Sequence, residues 1–391
     1  MKKIVFSIGL LIASIGLFAQ DTLTLADTKP ISTAVPFLSI TPDARAGAMG
    51  DMGVATSPDI YSIYWNSAKY AFLDEKFAAA ASYTPWLRSI TTGISLSQLV
   101  GFYRLNETQA FAASIRYFTV GEIVLTSTTG EELSAINPNE FSIDAAYSLK
   151  LSDNLAGSIA LRFIYSNITG GFSSGSFNTH PGVAFASDLG FYYTKDITLG
   201  GKNAHINAGL FLSNLGSKIS YSSALPPSFI PSNLRFGTVI GYELNDYNKI
   251  SWGVDFNKLL VPTPPIRDNN GNIIAGTDIE DMSVISGIIH SLYDAPLGFK
   301  EKLAELTVST GLEYSYKNMF FGRIGYFYEN PYKGNRQYMT AGVGLKYTSL
   351  RFDFSYLIPL SQVSPLDGTI RVSLGVSFGK KAQKVKKENA Q

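Results

Sequence analysis

The chain contains no cysteine, which excludes a disulfide scaffold and a thiolate metal site. Charge is scarce. Asp, Glu, Lys and Arg make up 16% of 391 residues, against roughly 25% in soluble domains. The charges also cancel, 32 basic against 31 acidic. A nucleic-acid binder carries a basic excess, so that class is excluded. Histidine is limited to His180, His205 and His290, each isolated in the sequence. Nucleophilic catalysis needs a nucleophile, a base and an acid meeting at one rim, and no nucleophile motif accompanies any of the three. An enzyme is therefore not expected, and no cofactor or metal is implied. Long apolar runs are missing too. Only Ile4–Phe18 qualifies, and it is shorter than the about 20 residues of a spanning helix. It follows Met1-Lys2-Lys3 and precedes Ala19-Gln20, the pattern of a secretory signal peptide over residues 1–20.

Apolar and aromatic side chains are plentiful. Hydrophobic residues reach 45% and aromatics 13%, mostly Phe (25) and Tyr (22). Their period is two. Ile370, Val372, Leu374, Val376 and Phe378 alternate with Thr369, Arg371, Ser373, Gly375 and Ser377, which is a strand with one apolar face. Fourteen such segments begin near residues 76, 89, 108, 139, 154, 182, 204, 233, 248, 304, 319, 336, 350 and 368. Most exceed the usual strand length of about 5 or 6 residues, as a tilted bilayer-spanning strand must. An open edge in hydrocarbon would leave main-chain groups unpaired, so the sheet must close. The expected fold is all-β: a 14-stranded antiparallel transmembrane β-barrel.

The connections sort by length. The second, fourth, eighth, tenth and twelfth are tight, as at Asn106-Glu107 and Lys317-Asn318. The long ones are odd: 119–138, 166–181, 214–232, 259–303 and 329–336. The first, 85–89, is expected to be short, and the sixth, 196–203, somewhat longer. Outer-membrane barrels place short turns in the periplasm and long loops outside. An even strand number then puts both termini in the periplasm. Aromatics at strand ends, Tyr117, Tyr165, Tyr193, Tyr242, Tyr316, Tyr328, Tyr347 and Phe378, suit the two bilayer interfaces.

Opposite the apolar face lie Arg116, Asp144, Lys150, Arg162, Asp188, Arg235, Glu243, Asp255, Glu313, Arg323, Arg351, Asp353 and Arg371. A selective pore shows one dominant sign. This set has seven positive and six negative members, so cross-strand ion pairs in a filled lumen are expected. Residues 41–75 carry no period-two run. Asp43–Gly50 is rich in small residues, and Asp59 could cap a short helix through Tyr64-Trp65-Asn66. The expected organisation is a signal peptide (1–20), a periplasmic lead-in (21–40), a plug or hatch (41–75), the barrel (76–379) and a basic periplasmic tail (380–391).

The small-residue stretch followed by Tyr64-Trp65-Asn66-Ser67-Ala68 resembles the N-terminal hatch of the FadL-like barrels, with Ser67 where those often carry Pro. Further segments narrow the match: Tyr83-Thr84-Pro85-Trp86-Leu87, Ile115-Arg116-Tyr117-Phe118, Asp294–Glu301, Arg323–Asn330 and Gly334-Asn335-Arg336. In order and spacing they resemble the PorV family, the FadL-like outer-membrane barrels of the type IX secretion system. The resemblance implies a non-enzymatic role in protein export. Implied partners are secreted cargo bearing C-terminal signal domains, the large translocon barrel, a surface sortase-like attachment complex and membrane lipids. The alternative is a FadL-type outer-membrane transporter of fatty acids or other hydrophobic small molecules.

If the lumen is blocked, function falls to the loops. Tyr221, Leu225, Phe229 and Ile230 in one loop, and Phe172 and Phe177 in another, are candidate partner contacts. The rival reading is a lid over the mouth. In the longest loop, Val284, Ile285, Ile288 and Ile289 show helical spacing within 282–293, expected to rest on the rim. Asp268–Asn272 reads as a turn rather than a calcium loop, because its Gly comes too early.

Overall fold

The computed structural model describes residues 23–379, apart from 92, 171–172, 175–176 and 362–363. The expected signal peptide, the basic tail and Phe172 lie outside the described residues. Fourteen strands form the barrel: β1 (Phe77–Pro85), β2 (Ser95–Arg104), β3 (Gln109–Thr119), β4 (Asn139–Lys150), β5 (Leu155–Asn167), β6 (Gly182–Leu199) and β7 (Lys202–Gly216), then β8 (Asn233–Glu243), β9 (Asn248–Leu259), β10 (Thr307–Tyr316), β11 (Phe320–Tyr328), β12 (Gln337–Tyr347), β13 (Leu350–Pro359) and β14 (Ile370–Phe378). Each pairs antiparallel with the next, and β1 closes on β14 from Phe77↔Phe378 to Tyr83↔Val372.

Two boundaries differ from the sequence reading. β2 starts at Ser95 rather than near 89, because Leu87 adopts φ +54° and the chain turns back from Leu87 to Thr91. The first connection is therefore a loop, not a short turn. Between β6 and β7 the expected longer connection shrinks to Gly200-Gly201, with φ of +57° and +77°. That is the backbone of a two-residue hairpin turn whose twist suits the flanking strands. With both corrections every odd connection is a loop and every even one a turn. The two barrel ends are called the loop end and the turn end below.

The exterior is apolar. Leu99, Ile115, Leu161, Phe185, Trp252, Ile324 and Leu374 all stand exposed on the outward face. Such a continuous apolar band is stable against lipid and not against water.

Residues 35–72 lie inside the ring. They include two short helices, α1 (Ala44–Gly47) and α2 (Ser62–Trp65), and a 3-10 turn over Ser67–Phe72. Small wall residues make the room. On one side Ile60, Tyr61, Ile63 and Tyr70 pack against Ala78, Ala80, Ala110, Ala112, Ala146 and Ala160. On the other the wall is glycine. Gly253, Gly311 and Gly325 are direct cross-strand neighbours on β9, β10 and β11, and a Cβ on any of them would fall within 3.2 Å of Met49, Gly50 or Met52.

The chain enters this interior at the loop end. Ala34 N–H donates to the Phe229 carbonyl at 2.9 Å, and Lys333 Nζ donates to the Lys29 carbonyl at 3.2 Å. Val35, Phe37, Leu38 and Ile40 pack with Leu96, Ile219 and Ile230. All these partners sit at the loop end, whereas β14 finishes at the turn end. Residues 29–40 are therefore not a lead-in on the side of the tight turns. They strap the opposite mouth, and the chain then runs down through the lumen to β1.

Candidate functional site

Arg45, on α1, bonds Asp59 Oδ2 at 2.7 Å within its own segment and Glu313 Oε1 on β10 at 3.0 Å. Glu313 also receives Arg323 at 2.6 Å, Arg323 reaches Asp353 at 2.8 Å, and Arg351 holds the same carboxylate at 2.6 Å. Across the lumen, Arg162 bonds Asp144, Asp188 (2.8 Å) and Asn214, with Arg116 3.6 Å from Asp144. Arg371 pairs with Asp51 at 3.4 Å. Asp255 Oδ2 accepts main-chain N–H bonds from Gly53 (2.7 Å) and Val54 (2.9 Å). Buried charge is costly unless it is paired or hydrogen-bonded. The pairing here joins strand to strand and wall to inserted segment. Glu243 and Lys150 sit apart near the turn end, half-buried, on Lys249 and Asp153.

Tyr64, Trp65 and Asn66 are buried at the middle of this arrangement. Trp65 Nε1 donates to Asp43 Oδ2 at 2.7 Å, and Asn66 Nδ2 to the Phe191 carbonyl at 2.9 Å. Arg235 lies over both rings, 4.9 Å from the Tyr64 centroid and 5.1 Å from that of Trp65. Asn66 caps the 3-10 turn by accepting from Ala68 N–H. Ser67 bonds Ser158 on the wall at 2.9 Å.

At the loop end the candidate contacts divide. Ile230 is fully buried against the strap, which removes it as a surface contact. Tyr221 is half-buried, its hydroxyl donates to Ser166 Oγ at 2.9 Å, and burial pushes its pKa up to about 12. Phe229 is half-buried too, close against Gly287, with Lys218 Nζ 4.3 Å above its ring. These three act as a lid over the strap. Leu225 alone of the four protrudes, at 57% exposure. Phe177 lies in a short hairpin, Ser173–Ser174 with Phe177–Asn178.

The longest loop forms helices α3 (Val284–His290) and α4 (Phe299–Ala304). They rest on the rim through Gly287, Ser291, Glu301 and Lys302, and expose Ile285, Ile289, Phe299 and Leu303. Helical spacing alone does not say which face turns inward, and here the apolar one turns out. A buried ionic cluster holds the loop down: Lys258–Glu305 at 2.7 Å, Lys302–Asp294 at 2.5 Å, and Lys333 on Glu301. Burial opposes ionisation of Glu305, but Lys258, Thr263 and Lys302 outweigh it and hold the carboxyl below its ordinary value. Asp268 accepts from Asn270, Gly271 and Asn272 and makes the expected turn. Among the described residues no group of His, Asp and Glu is arranged to hold a metal ion.

Neither the anchoring role of Arg45 nor the glycine wall follows from the alternation or the charge balance of the sequence. Gly253, Gly311 and Gly325 were visible as glycines inside strands, a sign of close backbone approach.

A family model described as type IX secretion system protein PorV matches residues 24–266, more than half of the chain. No curated protein matches it. Among solved structures, the toluene transporter TbuX of Ralstonia pickettii is 11% identical, with 87% of this chain and 98% of that one covered and a TM-score of 0.45. The toluene transporter TodX of Pseudomonas putida is 12% identical, covering 85% and 96%, at 0.45. A FadL homologue of Pseudomonas aeruginosa is 12% identical, covering 87% and 99%, at 0.43.

Proposed function

Because this chain belongs to the type IX secretion system protein PorV family, we propose that it is an outer-membrane carrier that binds the C-terminal signal domain of secreted cargo. In this reading it collects cargo at the translocon barrel and delivers it to the surface sortase-like attachment complex. The loop end faces outward and the turn end faces the periplasm. Its part is to bind and hand over, not to catalyse.

The observation that carries the reading is the segment cemented into the lumen by Arg45, Asp59, Glu313 and Asp255. A transporter of hydrophobic molecules needs a continuous apolar passage, and this interior is lined with paired charge. Binding then falls to the loop end, where Leu225 and the outward faces of α3 and α4 offer apolar surface.

The test removes the exposed tip, residues 223–227, and leaves Tyr221, Phe229 and Ile230 in place. Cargo co-purifying from detergent-extracted outer membranes should fall sharply while barrel assembly is unchanged. Full cargo capture after that deletion removes the tip from the binding surface. Lost fatty-acid uptake with normal secretion in a knockout would favour the transporter reading.

A further inference from the structure

At the loop end a cavity of about 150 Å³ lies between the strap and the inserted segment, lined by Arg235, Asn233, Asp255, Asn257, Tyr64 and Trp65. Its other charged lining groups already have partners: Asp51 pairs with Arg371, Glu305 with Lys258, Arg336 with Glu329 and Lys333 with Glu301. Arg235 is the exception among the lumen arginines. Arg45, Arg116, Arg162, Arg323, Arg351 and Arg371 each hold a carboxylate within 4 Å. Arg235 forms no ion pair among the described residues. It has two aromatic faces and two long contacts of 3.4 Å to the Tyr64 carbonyl and hydroxyl. A guanidinium presents five N–H donors, so most of them stay unused in a side chain that is nine-tenths buried.

The same cavity holds the opposite deficit. The Oδ1 atoms of Asn233, Asp255 and Asn257 are buried and accept no hydrogen bond from the described residues. Buried polar atoms are nearly always partnered, and leaving them unpaired is costly. What completes this cavity brings an anion to Arg235 and N–H or O–H donors to three oxygens, in a small volume. Sulfate offers no donors, and phosphate near neutral pH offers one or two hydroxyls crowded on the same atom as its charge, too close together to reach Arg235 and three separate oxygens at once. A fatty acid offers the anion only, and its tail would meet polar wall. The end of a peptide chain has both parts: a carboxylate for the guanidinium fork, and amide N–H groups one bond row away. The volume is that of about five waters at roughly 30 Å³ each, enough for one or two small residues.

We infer that the loop-end cavity receives the carboxylate end of a peptide chain, with Arg235 as its anion contact and Asn233, Asp255 and Asn257 as its acceptors. This rests on the cargo-binding reading and names the part of the cargo that is held. Ile31 and Ser39 of the strap border the cavity, so the strap forms its rim at the mouth.

The test uses the full chain in detergent micelles and the C-terminal signal domain of a secreted protein as probe. The domain is prepared with a free α-carboxylate and with a C-terminal amide. Amidation should weaken binding about 10- to 100-fold, the range of a charge-assisted hydrogen bond. Arg235→Gln should weaken the free-ended domain by the same factor and leave the amidated one unchanged. Acetyl-dialanine should compete with the free-ended domain, and its amide should not. Equal affinity for both forms overturns the inference and leaves the cargo reading intact, with water as the cavity's content. Competition by octanoate as strong as by the peptide assigns the cavity to an acyl carboxylate and also overturns it. Failure of the wild-type protein to bind either domain removes the cargo reading and the inference with it. If Arg235→Gln does not assemble, judged by heat-modifiable migration, the amide comparison on the wild type still decides.

Discussion

Gly325→Ala adds one methyl group to the lumen face of β11. Its Cβ would stand 2.0 Å from the Gly50 nitrogen and 2.1 Å from the Met49 carbonyl carbon. Both are main-chain atoms, so no rotamer change relieves the clash and the inserted segment must shift. Overpacking of this kind costs about 1–3 kcal/mol. At 1.4 kcal/mol per decade, the population with the segment lifted off the wall should rise about 5- to 150-fold. Gly322→Ala is the control. It lies on the same strand, faces lipid, and its Cβ would meet nothing within 4 Å. The readout is tryptic cleavage at Arg45 and Lys69, which are 4% and 0% exposed. Cleavage of a transiently opened site follows the open population when reclosing is fast. Gly209→Ala, whose Cβ would meet the Val54 carbonyl oxygen at 2.4 Å, should behave like Gly325→Ala. If Gly325→Ala and Gly322→Ala are cut at the same rate, the glycine wall is not what seats the segment, and the packing argument fails.

Other outcomes follow from the same contacts. Arg45→Met leaves Asp59 and Glu313 short of a partner and should destabilise the inserted segment by about 3–5 kcal/mol, read as a lower denaturant midpoint for protection of Lys69. Ile230→Asp places an unpaired charge against Val35 and Phe37 and should loosen the strap, seen as faster hydrogen exchange at Ala34. Glu305 has a depressed folded-state pKa, so its contribution is fully present above its ordinary value of 4.5 and is lost as pH falls through the lower folded value. Acidification below about 4.5 should therefore free α3 and α4 to exchange, and Glu305→Gln should flatten that response. The chain has no cysteine, so single probes are clean. Lys29→Cys should react with an impermeant maleimide from the same side as Leu225→Cys and the opposite side from Asp246→Cys; labelling with Asp246→Cys would refute the direction in which the chain enters.

The barrel was legible because its code is local. Alternation over Ile370–Phe378 fixes which side chains face lipid without reference to any other strand. The exceptions were local too: Gly200-Gly201 read as a loop until its positive φ angles made it a hairpin turn. The balance of charge pointed to a filled lumen, but not to which pairs form. Arg235 and Arg323 look alike in sequence; only the structure shows that Arg323 bridges two carboxylates while Arg235 forms no ion pair among the described residues. Least legible was the strap. Its position depends on contacts between residues 29–40 and loops some two to three hundred positions away, and no periodicity encodes such a distance.

The strap has a consequence for assembly order. The ring closes where β1 meets β14, and in the folded protein the chain ahead of β1 occupies the bore. Either the ring zips up around its own leader, or the free amino end is towed through from one mouth to the other. Both routes are sensitive to bulk at that end. A compact folded tag fused ahead of the strap cannot be towed, so successful insertion of such a fusion would show that the wall closes around the leader.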